Sequence, residues 1–106
     1  MKIANRTFIV SGGSSGLGLA TVVDLLTSDA YVSIVDRQPP PSSELASTHV
    51  KFFKTDITKV EEIKEAVEGT VAWTEETGAE FGGVVNCAGV GVAGKASDLS
   101  QSMLFN

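Results

Sequence analysis

The stretch Ser11-Gly12-Gly13-Ser14-Ser15-Gly16-Leu17-Gly18 constrains this chain more than any other. Four of its residues are glycine and three are serine, and apolar runs close on it from both sides. Ahead of it, Thr7 to Ser11 is short and continuously apolar, as in a buried strand of a parallel sheet. Behind it, Gly16 to about Ser28 reads as a helix, with Leu17, Ala20, Val23 or Thr21, Leu25 and Leu26 as a wide buried stripe. The stretch is therefore a strand-to-helix turn. It is either a plain turn with a capping serine or a cradle for a ligand that must approach bare backbone. Amides at a helix N-terminus carry the positive end of the helix dipole, which suits a phosphate, and glycine lacks the Cβ that would keep one away.

Spacing narrows the ligand class. Gly12, Gly16 and Gly18 give G-x-x-x-G-x-G, with Gly13 extra, rather than the common G-x-G-x-x-G. No Gly-Lys-Ser/Thr follows, so the turn is not a P-loop.

The rest of the chain alternates. Tyr31 to Asp36 is a β-branched second strand that ends on an acid. Three consecutive prolines then forbid a helix, although a short helical turn fits Ser43–Ala46 with Ser42 or Ser43 as N-cap. Val50 to Asp56 is a third strand. Thr58 suits an N-cap for a helix over Lys59 to about Thr77, its buried stripe made by Val60, Ile63, Val67 and Val71. Gly69 weakens its middle and Gly78 can end it. Val84 to Ala88 is a fourth strand, and a loop follows Gly89. Strands alternating with helices mean a parallel, doubly wound α/β sheet with right-handed crossovers. Ligands in such sheets bind beyond the carboxyl ends of the strands.

Those ends hold the candidate site residues. Asp36 lies 18 residues beyond Gly18, where an acid can accept from adenosine ribose hydroxyls and repel a 2′-phosphate. That favours NAD over NADP, although Arg37 next to it can partly accommodate such a phosphate. Asp56-Ile57 closes the third strand within Thr-Asp-Ile-Thr. Asn86-Cys87-Ala88-Gly89 closes the fourth: Asn86 can bridge backbone between strands, and Ala88-Gly89 would let a ring lie close. Each has a plainer meaning too, as a turn or helix-preceding residue. Cys87 fits a small unreactive buried residue better than a redox or nucleophilic one. His49 is expected at the surface and Trp73 in packing.

Composition excludes several classes. The chain has 106 residues, 42% hydrophobic and 20% charged, with a formal net charge of −5, which fits one globular domain. Eight scattered basic residues leave no footprint for nucleic acid. One cysteine allows no internal disulfide and points to a reducing compartment. No apolar run approaches the roughly 20 residues of a membrane span. The N-terminus enters a strand pattern too soon for a leader peptide, so a cytoplasmic location is expected. No metal-ligand spacing stands out.

Taken in order and spacing, Ser-Gly-Gly-Ser-Ser-Gly-Leu-Gly, Asp36, Thr-Asp-Ile-Thr and Asn-Cys-Ala-Gly resemble the N-terminal half of a short-chain dehydrogenase/reductase. Ser11 stands where that family has Thr, which keeps a hydroxyl, and Cys87 where it has a second Asn, which loses an amide. GGSSGLGLATV and VVNCAGVGVAGK further resemble its type-2 3-hydroxyacyl-CoA dehydrogenase branch (17β-hydroxysteroid dehydrogenase type 10). The resemblance implies an incomplete Rossmann-like sheet of about four strands over residues 1–106. It implies an NAD-dependent oxidoreductase acting on a secondary alcohol or ketone, with 3-hydroxyacyl-CoA as a candidate substrate. Cofactor contact is implied for Ser15, Leu17, Asp36, Asp56, Ile57 and Cys87, with Gly12, Gly16 and Gly18 shaping the phosphate loop. Ser11, Ser14, Arg37 and Asn86 are expected beside them, Asp56 near the adenine, and Cys87, Ala88 and Gly89 along the adenosine ribose. The full-length family member is expected to be a homo-oligomer, a tetramer, and some relatives are mitochondrial.

The family's proton transfer needs a Ser and a Tyr-x-x-x-Lys. The chain's one tyrosine, Tyr31, opens a strand and is followed four residues later by Val35. No catalytic residue is therefore assigned, and the chain alone is expected to be inactive, marginally stable and prone to associate. The rival expectations are a non-catalytic NAD(P)-binding module or sensor, and an incomplete gene model.

Overall fold

The computed structural model describes residues 3–40 and 48–87. Within them, four strands and two helices follow in the order β1 (Arg6–Ser11), α1 (Gly16–Thr27), β2 (Tyr31–Asp36), β3 (Val50–Lys54), α2 (Val60–Thr77) and β4 (Glu80–Asn86). The strands form one parallel sheet in the order β3-β2-β1-β4, the expected α/β arrangement. The helical turn expected at Ser43–Ala46, and the loop beyond Gly89, lie outside the described residues.

Alternation along the strands divides the core between two faces. Val10, Val32, Ile34 and Cys87 face α1, which contributes Val22 with Leu19, Leu25 and Leu26. Ile9, Val35, Phe53 and Val84 lie on the opposite face with Ala66 of α2. There Ser33 and Thr70 share a buried hydrogen bond of 2.6 Å between their hydroxyls. Because β1 and β2 are the two inner strands, Val10 and Val32 are completely buried, as in strands covered on both faces.

Several expectations need correction. β1 begins at Arg6, β3 ends at Lys54 and β4 begins at Glu80. The early start of β4 was hidden because Phe81-Gly82-Gly83 carries no β-branched pattern. Gly82 is an extra residue where the β1–β4 register shifts, and a Cβ there would lie 2.7 Å from the Phe8 ring. Thr58 does not cap α2. Its N–H and hydroxyl both donate to Asp56 Oδ1, and Lys59 takes the N-cap position.

Helix phase also departs from expectation, in the first part of α1, whose Leu25 and Leu26 pack on the sheet as expected, and along α2. Leu17 and Val23 of α1 are exposed, and Gly18, Leu19 and Val22 turn to the sheet in their place. In α2 the stripe Val60, Ile63, Val67 and Val71 is exposed, while Ala66, Thr70 and Trp73 are buried. Gly69 explains the departure in α2. Its bare Cα lies against Phe53, where a Cβ would come within 2.5 Å of the ring. Gly78 ends α2 as expected, in the left-handed conformation at φ 77°. His49 is half-buried rather than at the surface. Its ring stacks on Tyr31 at 3.9 Å, while Trp73 meets Tyr31 edge-on at 5.8 Å.

Candidate functional site

The carboxyl ends of β1, β2 and β3 open onto a groove of ≈540 Å³. The turn after β1 forms its floor. Gly12 and Gly16 adopt positive φ (72° and 57°), which glycine takes without strain. Gly18 lies directly on Gly12: a Cβ at Gly18 would fall 1.8 Å from the Gly12 carbonyl oxygen. Only glycine at position 18 permits this approach of helix to loop. Ser15 occupies the N-cap position of α1 but makes no side-chain capping hydrogen bond. A plain turn would use that hydroxyl on the first-turn amides; here it does not.

Asp36 joins the loop to β2. Its Oδ2 accepts from the Ser14 N–H at 3.0 Å and its Oδ1 from the Gln38 N–H at 3.1 Å. The carboxylate is thereby locked at the groove wall, next to exposed Arg37. Beneath the loop, the Ser14 Oγ is buried without a hydrogen-bond partner, the one such side-chain atom among the described residues. Asp56, Ile57 and Thr58 form the next wall. The Asp56 carboxyl is held below the usual carboxylate range, first by the Thr58 hydroxyl, then by the Thr58 N–H, with Arg37 and Lys59 adding attraction.

Cys87 completes the groove. It is 5% exposed, and burial pushes its thiol up, partly countered by a hydrogen bond with Thr21. A neutral buried thiol is a poor nucleophile.

The structure thus brings Gly12, Ser15, Gly16, Leu17, Gly18, Asp36, Arg37, Asp56, Ile57 and Cys87 to one groove. Half-exposed Leu17 offers it an apolar rim. Ser14 reaches the site only through its amide. Ser11 and Asn86 do not line it: the Ser11 hydroxyl donates to Asn86 Oδ1 at 2.6 Å, so the Asn86 side chain adds a side-chain tie to the β1–β4 backbone pairing rather than bridging backbone itself. Both border a second, apolar groove of ≈340 Å³ on the α2 side. Ala88 and Gly89 lie outside the described residues. Val35, Thr55 and Thr58 were missed as lining residues. Position at strand ends was a usable signal for Val35 and Thr55, whereas Thr58 lies in the turn before α2.

The donor set and the glycine floor fit a dinucleotide. Unsatisfied helix amides suit a pyrophosphate, the loop admits it to backbone contact, and Asp36 offers acceptor oxygens for a ribose diol. Among the described residues there is no group of three or more His, Cys, Asp or Glu placed to hold a metal ion, and no helix long and apolar enough to cross a membrane.

Comparison with known proteins agrees with this geometry. The family pattern described as short chain dehydrogenase matches residues 6–106. Ipsdienol dehydrogenase of Ips pini is 36% identical over 90 residues, which is 85% of this chain and 34% of that protein. The short chain dehydrogenase prhI of Penicillium brasilianum is 34% identical over 101 residues, 95% of this chain and 36% of that protein. The crystal structure of a short chain dehydrogenase from Leptospira borgpetersenii with bound NAD+ superposes with a TM-score of 0.67 at 27% identity. It covers 81% of this chain and 32% of that one. The chain spans about a third of the length of the curated relatives it matches.

Proposed function

From the premise that the chain belongs to the short-chain dehydrogenase family, we propose that its groove holds NAD, as part of an oxidoreductase acting on a secondary alcohol or ketone. The observation that carries this is the contact of Gly18 on Gly12 beside a Ser15 that leaves the helix amides uncapped. The first-turn amides of α1 would receive the pyrophosphate. Asp36, held by two backbone amides, would accept from the adenosine ribose, and its charge opposes a 2′-phosphate, so NAD is preferred to NADP. Asp56 and Ile57 would meet the adenine, and Cys87 would flank the ribose as an unreactive surface. When bound, the cofactor supplies the hydride acceptor or donor; these residues bind and orient it.

Proton transfer is a separate matter. Tyr31, the chain's one tyrosine, stacks on His49 at the amino end of β2, away from the groove. We therefore infer that the 106 residues bind without turnover, which is also how a non-catalytic sensor would behave. Within the family, 3-hydroxyacyl-CoA is the substrate suggested by the resemblance of the Gly12–Val22 and Val84–Lys95 stretches. A homotetrameric parent enzyme rests on the same resemblance, and a reducing, cytoplasmic compartment on the single cysteine.

Isothermal titration of the 106-residue chain tests the reading. Saturable one-to-one binding of NAD, tighter than NADP, is expected; absence of binding at millimolar NAD overturns it.

A further inference from the structure

We propose that Glu62 is a positioning residue for the base-binding corner of the groove, acting through the Asp56 backbone; this rests on the nucleotide reading above. Glu62 does not line the groove. It stands in the first turn of α2, and its Oε1 accepts from the Asp56 N–H at 2.7 Å. A glutamate at this position ordinarily reaches back to the N–H of the N-cap residue. Here the N-cap is Lys59, and its N–H already donates to the Asp56 carbonyl at 2.9 Å. Glu62 instead reaches across the whole turn, with Oε2 4.0 Å from Lys59 Nζ.

The turn is fixed on every side as a result. Thr55 N–H donates to the Asp36 carbonyl at 2.8 Å, which ties the entry to β2. The Thr58 N–H and hydroxyl occupy Asp56 Oδ1. Among the described residues, Asp56 Oδ2 and the Ile57 N–H make no hydrogen bond. One acceptor and one donor on adjacent residues thus remain at the groove wall. That pair complements a base edge carrying an amino group beside a ring nitrogen acceptor, as adenine does, and not one carrying a carbonyl beside a ring N–H. Glu62 holds the peptide that sets the direction of both.

The test uses the full 106-residue chain, titrated with NAD and with deamino-NAD, whose base is hypoxanthine. Wild type should prefer NAD. Glu62→Ala should weaken NAD by about fivefold to tenfold, the scale of one ordinary hydrogen bond, and leave deamino-NAD nearly unchanged. Glu62→Gln keeps an acceptor oxygen and should retain the preference. Glu61→Ala, which removes a first-turn charge without touching Asp56, should retain it too. In the ligand-free chain, exchange of the Asp56 amide proton should quicken in Glu62→Ala and not in Glu61→Ala. Equal weakening of both ligands, or an unchanged Asp56 amide, overturns the proposal. A wild type that binds NAD and deamino-NAD equally also overturns it, and leaves the nucleotide reading intact. A wild type that binds neither removes both.

Discussion

The two ends of the sheet are built from opposite materials. At the amino ends, Tyr31, His49 and Trp73 pack ring on ring, and the Thr7 hydroxyl donates to the Ala79 carbonyl at 2.9 Å within the buried core. At the carboxyl ends, contact is made by backbone: Gly18 on Gly12, and amides of Ser14 and Gln38 on Asp36. Large side chains fill space and contribute stability through buried area. Glycine and short polar residues leave space and hold it open by hydrogen bonds. One end closes the fold and the other keeps a groove.

The largest effect should come from the closed end. Trp73→Ala is expected to cost about 3–5 kcal/mol, read by urea unfolding followed by circular dichroism; a loss below 1 kcal/mol would show that the aromatic cluster is not what closes that end. Gly18→Ala should come next. Its methyl collides with a carbonyl rather than with a movable side chain, so a loss of about 1–3 kcal/mol is expected, together with loss of measurable NAD binding. Full NAD affinity in that variant would contradict a backbone-built groove.

A smaller effect isolates the clasp. Asp36→Ala removes the acceptor for the Ser14 amide as well as the charge proposed to face the ribose. NAD affinity should fall about tenfold and preference over NADP should shrink. An unchanged preference in titrations of both cofactors would separate Asp36 from the ribose. The smallest concerns Asp56. Thr58→Ala removes the first cause of its lowered pKa, so its titration by NMR should move up toward the ordinary carboxylate value. The linkage has a definite sign. A depressed folded pKa contributes stability above the unfolded value, and that contribution is lost as pH falls through the folded one. The variant should therefore show a weaker acid dependence of stability; an unmoved Asp56 would mean that the retained Thr58 N–H, with Arg37 and Lys59, sets it.

Legibility in the sequence differed in the same way between the ends. The groove could be read because glycine and acid at strand ends have few roles in a parallel sheet. Helix phase could not, because periodicity counts apolar residues and ignores what they must pack against. Val60, Ile63, Val67 and Val71 make a better stripe than Ala66, Thr70 and Trp73, yet Gly69 against Phe53 and Thr70 against Ser33 decide which face turns inward. His49 was misplaced for a similar reason: its partner Tyr31 lies 18 residues earlier and meets it only across the β2–β3 pair. Glu62 carried no signal, since a first-turn acid is common and its reach to Asp56 depends on the shape of the turn.

The strand order β3-β2-β1-β4 also sets a timetable for synthesis. β1 can pair with β2 soon after both leave the ribosome, but its other side waits for β4, as the 75-residue separation of Ser11 and Asn86 shows. At roughly 5–20 residues per second that interval is about 4–15 s. For those seconds a strand that ends up inside the sheet is an open edge, and nascent-chain binding factors have that long to find it.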